Sequence, residues 1–66
     1  MTCEATVYLA QDGQEKEIMR DVIVLEPVED GQRLRALFQV PVLVKARVSR
    51  IDFLKHSVTL VPAEGG

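Results

Sequence analysis

Apolar residues recur at every second position along most of this 66-residue chain, and that period constrains the fold more than any other feature. It is the repeat of a half-buried strand, whereas an amphipathic helix needs a period near 3.6. In the stretch 3–10, Cys3, Ala5, Val7 and Leu9 share one face, and Glu4, Thr6 and Tyr8 share the other. Asp12-Gly13 then marks a tight turn, because glycine tolerates positive φ. The return arm 15–19 is short and charged, which suits a sheet edge. Arg20-Asp21 reads as a second break. The run 22–25 is apolar on both faces, as in mid-sheet or against another chain. Pro27 and a second Asp-Gly pair, Asp30-Gly31, close it. Over 33–38, Leu34, Ala36 and Phe38 alternate inward, with Arg33 and Arg35 outward.

Pro41 belongs at an edge or a strand start, since it donates no ladder hydrogen bond. Residues 42–52 read as the longest strand, with Val44, Ala46 and Val48 on one face. Ile51 is out of phase with them, so a bulge near Ser49-Arg50 is expected to restore its burial and bend the strand. Residues 53–56 read as a turn, with room for a single helical turn over 52–56, and 57–61 as the last strand. The predicted fold is all-β: a small antiparallel barrel of six to seven short strands, closed or nearly so, over residues 1–62. Residues 63–66 are expected to form a mobile tail.

Size adds a second constraint. A lone core in a chain this short rarely supplies more than ~3–5 kcal/mol. One cysteine excludes an internal disulfide, so a metal or a second copy of the chain is the expected support, and a homodimer is predicted. No apolar run reaches the ~20 residues of a membrane span and no signal-peptide pattern opens the sequence, so a cytoplasmic location is expected. There is little room for a scaffold plus a cleft, and no enzyme is expected.

Charge is unevenly spread. Residues 1–30 carry eight acids and two bases, and residues 31–66 carry six bases and two acids, for a net charge of −2. The basic set is Arg33, Arg35, Lys45, Arg47, Arg50 and Lys55. Pairing of opposite charges across neighbouring strands accounts for such asymmetry more simply than an anion-binding face does. Small barrels can bind single-stranded nucleic acid through aromatic platforms in a basic groove. Tyr8, Phe38 and Phe53 are the only aromatics. The acidic balance and the lack of an aromatic–basic cluster argue against that function, which stays as the alternative, together with a protein-interaction module without a metal.

Cys3 is the one candidate for metal chemistry with a mechanism. Removal of Met1, usual before a small residue such as Thr2, would leave the Thr2 amine, the Cys3 amide nitrogen and the Cys3 thiolate in sequence. Binding through all of them closes two fused five-membered chelate rings, and planar nitrogen and thiolate donors suit Ni(II) or Cu(II). One segment supplies too few donors, and two segments across a dimer axis could complete a site. The competing reading is a small buried hydrophobe. His56 has no ligand-like neighbour in sequence, Met19 suits a core or interface, and Glu15 and Glu17 lack a cleft.

Three stretches carry a resemblance: Cys3-Glu4-Ala5-Thr6-Val7-Tyr8, the segment 21–27 (DVIVLEP) and the segment 46–56 (ARVSRIDFLKH). In order and spacing they resemble the CooT family of very small nickel-binding proteins linked to nickel delivery for carbon monoxide dehydrogenase. Relatives outside that pathway were often labelled predicted RNA-binding proteins. The resemblance implies a homodimer of small β-barrels that buffers or delivers Ni(II). It places the near-terminal cysteine, here Cys3, in the metal-ligand role, with a nickel-enzyme maturation partner. The family typically begins Met-Cys, whereas here Thr2 intervenes, which adds the Thr2 amine as the expected nitrogen donor.

Overall fold

The computed structural model describes residues 4–63. Strand β1 (Ala5–Gln11) follows the expected alternation, with Val7 sealed in the core and Ala5 and Leu9 packed beside it. Asp12 and Gly13 both adopt positive φ, 56° and 78°. That is the primed turn whose twist matches the flanking strands. The chain returns as β2 (Gln14–Val28), the longest strand.

β2 joins two segments that the sequence reads as separate. Ala5 pairs with Val22 and Val7 with Met19, so Arg20 and Asp21 together oppose a single residue of β1. Asp21 takes φ 56°, a conformation its short side chain tolerates. The second break is therefore a bulge that bends the strand without ending it. A further offset follows between Val22 and Val24, leaving Ile23 as the extra residue, about half exposed. The half of β2 before the bends pairs with β1, and the half after them pairs with β3 (Gly31–Ala36). Val22 pairs with both neighbours, which fits the mid-sheet reading of 22–25.

The second Asp-Gly pair needs its glycine for another reason. A Cβ on Gly31 would stand 2.1 Å from the Val44 carbonyl oxygen and 2.9 Å from the Lys45 Cα. Only a bare Cα lets the two backbones approach so closely.

The expected long strand 42–52 is divided at Lys45 into β4 (Val42–Val44) and β5 (Ala46–Asp52), followed by β6 (Ser57–Pro62). The sheet order is β4-β3-β2-β1-β6-β5. Its two outer strands are thus consecutive in the chain and joined through one bent residue. Because Lys45 only bends the path, β4 and β5 count as one pass, and the chain makes an odd number of passes. Joining the first pass to the last then requires one parallel pair. That pair is β1 with β6, Thr6 opposite Ser57 through Leu9 opposite Leu60. The expected all-antiparallel sheet is corrected on this point: the sheet is mixed and curls into a half-barrel of 39 × 23 × 15 Å.

The core is the inner face of this curl: Val7, Met19, Val22, Leu34, Ala36, Ala46, Val58 and Leu60. Two expected members are absent. Phe38 is fully exposed, because alternation stops at Ala36. The chain then turns through Phe38 at φ 62°, with the Gln39 N–H donating to the Ala36 carbonyl at 3.3 Å. The bulge at Ser49 is present, between Val48 opposite Leu60 and Arg50 opposite Thr59. It leaves Ile51 half exposed on the outermost strand, so the expected recovery of burial does not occur. Residues 53–56 form a turn rather than a helical turn. Ala63 is tied to the sheet by its N–H donating to the Lys45 carbonyl at 3.1 Å. The rest of the expected tail, 64–66, lies outside the described residues.

Candidate functional site

The sequence-level metal donors, Thr2 and Cys3, lie outside the described residues. What the structure defines is the strand start they precede. The Thr6 N–H donates to the His56 carbonyl at 2.9 Å, extending the parallel β1–β6 pairing by one bond. The beginning of β1 is therefore laced to the β5–β6 turn.

That turn is held from inside. Asp52 Oδ1 accepts the Lys55 backbone N–H at 3.0 Å. Hydrogen bonding from the Lys55 backbone is the main reason the Asp52 carboxyl sits below its ordinary titration range, with the Leu54 backbone and the Lys55 and Arg50 charges adding to it. His56 closes the turn at φ 52°. The turn so tied presents Phe53 at 82% and Leu54 at 91% exposure. The histidine joins no ligand cluster: among the described residues, no three His, Cys, Asp or Glu side chains are placed to hold a metal.

A second apolar surface lies elsewhere. Ile23 and Val24 of β2, with Leu37, Phe38 and Val40 of the β3–β4 loop, line one shallow depression together with Arg35. Leu37, Phe38 and Val40 are largely exposed. Alternation alone places Phe38 in the core and assigns Leu37 and Val40 no role. The signal for this surface is a Leu-Phe pair shortly before Pro41, where a strand cannot continue.

Among the described residues, one ion pair crosses strands as the alternation implies: Arg33 donates to Glu26 Oε1 through Nε at 2.9 Å and Nη2 at 2.5 Å, directly across the β2–β3 ladder. The other two lie within a strand: Arg20 donates to Glu17 at 2.9 Å on β2, and Arg50 stands 3.9 Å from Asp52 on β5. Tyr8 lines an outer depression of about 300 Å³ with Arg50 and Thr59, while Phe38 and Phe53 sit on two different loops. The three aromatics therefore form no shared stacking platform. A cavity of about 620 Å³ opens between the β2–β3 turn and the Lys45 bend. Gln32 lines it with its Oε1 buried and unpaired. Glu29 and Asp30 there are offset by Lys45 and Arg47, and the cavity has no nucleophile–base pair.

The fold and these surfaces define a small all-β half-barrel with two uncovered apolar patches. The comparisons give its family. The sequence model of the family described as CO dehydrogenase accessory protein CooT matches residues 2–61, and the chain belongs to that family. Its fold is similar to the crystal structure of a provisionally assigned CooT from Carboxydothermus hydrogenoformans, with a TM-score of 0.85 and 26% identity, covering 94% of this chain and 100% of that one. No curated protein sequence matches the chain. No helix of the described residues is long and apolar enough to cross a membrane.

Proposed function

We propose that this protein is a cytoplasmic, non-catalytic Ni(II)-binding homodimer that buffers nickel or delivers it during maturation of carbon monoxide dehydrogenase. The observation that carries the reading is the match to an accessory family of that enzyme over residues 2–61. The nickel is cargo. The Cys3 thiolate is its principal ligand and the Thr2 amine a nitrogen donor. These nitrogen and thiolate donors suit a planar d⁸ ion. Binding requires loss of protons from the donors, so affinity rises with pH.

The second copy serves both core and site. The face of Ile23, Val24, Leu37, Phe38 and Val40 offers on the order of 500 Å² of apolar surface. Homodimer interfaces are roughly 65% apolar, so this patch with its polar rim approaches the ~800 Å² per partner of a stable complex. Two chains bring two Cys3 donors, and the reading assigns one nickel to each dimer.

Calorimetric titration of Ni(II) into the wild type and Cys3→Ala tests the metal assignment. The wild type is expected to bind tightly and the variant at least ~100-fold more weakly. Equal binding by both removes Cys3 from the site. Sedimentation at micromolar concentration tests the dimer, and a monomer alone would contradict it.

A further inference from the structure

We infer that the β5–β6 tip, Phe53 and Leu54 with Lys55 beside them, is the surface through which this protein docks on its client enzyme. This rests on the accessory role proposed above.

The backbone of the tip is tied to its surroundings while its apolar side chains contribute nothing to the core. Asp52 caps it, His56 fixes its exit, and the Thr6 N–H ties it to β1. Two large exposed apolar side chains on a tied backbone cost solubility, and they match the anchor residues that dominate transient interfaces. The backbone ties lower the loop-ordering entropy that binding would otherwise have to meet.

Area separates this surface from a self-interface. The Phe53 and Leu54 side chains expose roughly 300 Å² between them, well under the ~800 Å² per partner that a stable dimer buries. The Leu37–Phe38 face is the larger one and suits the second copy. The tip suits a partner that binds and leaves. Charge gives the partner's chemistry. Lys55 makes no ion pair among the described residues, and Arg50 reaches Asp52 only at 3.9 Å. The complementary surface is an apolar socket rimmed by carboxylates. Position gives the reason for docking there, since the tip is hydrogen-bonded to the strand that directly follows the proposed metal donors. A client seated on it meets the strand start that follows those donors in the sequence.

The test measures association of the metal-free protein with purified nickel-free carbon monoxide dehydrogenase, by surface-immobilised binding, for wild type, F53S/L54S and K55E. Loss of two anchors is expected to weaken association at least ~30-fold. K55E is expected to weaken it ~3–10-fold and flatten its salt dependence. Both variants should keep the wild-type sedimentation coefficient and nickel titration, which shows that they fold. Equal association by wild type and variants, or no association by the wild type, overturns the inference. So does a monomer produced by F53S/L54S, because the tip would then be the self-interface. Since association is read without metal, a failed nickel titration would count against the nickel reading alone.

Discussion

The two apolar loops of this half-barrel are exposed for different reasons. The β3–β4 loop continues a sheet face: β2 bulges at Ile23, β3 stops at Ala36, and Leu37, Phe38 and Val40 extend the apolar surface begun on the strands. The β5–β6 tip stands alone, braced by Asp52 and laced to β1. A broad face continuous with a sheet can bury enough area to join two subunits permanently. A small braced tip cannot, but it offers a quick and specific grip. On the proposed reading the same residue types would serve two kinds of interface, and the backbone around them would decide which.

The most severe way to break the distinction is to remove the core both loops hang from. Leu34 is fully buried, and Leu34→Ala is expected to cost ~2–5 kcal/mol. That is comparable to the whole stability of a chain this size. Chemical denaturation should show a largely unfolded variant that neither dimerises nor binds the client. Next in size, L37S/F38S should raise the dimer dissociation constant at least ~100-fold by sedimentation, leaving the far-UV spectrum unchanged. F53S/L54S should leave that constant unchanged, and a reversed pattern would exchange the two roles. The smallest effect concerns the brace. Asp52→Ala should weaken client association about threefold through a looser tip without moving the dimer constant.

The pH dependence sharpens the same contrast. Asp52 has its folded-state carboxyl lowered by the backbone bonds of the tip. It therefore contributes order that is complete above the ordinary carboxylate value and lost as pH falls through the lowered folded value. The protection factor of the Lys55 amide, its exchange rate relative to an unstructured amide at the same pH, should fall on acidification before that of Gln39, whose N–H is held by a backbone carbonyl.

Much of this was legible in the period-two pattern. The core face of β1, the Asp12-Gly13 hairpin, the inward row at Leu34 and Ala36 and the bulge at Ser49 all follow from local chemistry. The parallel β1–β6 pair does not, because it depends on Lys45 bending the chain without reversing it. Asp21 and Phe38 show the same limit: positive φ at a residue other than glycine turned an expected break into a bulge and an expected core residue into a surface one. The loop parts of the apolar surfaces were invisible for that reason, since alternation reports a face only while the strand continues, whereas the share of Ile23 and Val24 was legible in the two-faced apolar run 22–25. The metal donors were read from residue type and order alone, and lie ahead of the first described strand.

The central claim joins one thiol to two subunits, and counting nickel against chains while recording the absorption spectrum tests it most directly. Wild type should take up one Ni(II) per two chains with a thiolate-to-nickel charge-transfer band, and both should vanish in Cys3→Ala. One nickel per chain, or an undiminished band without Cys3, would contradict the account.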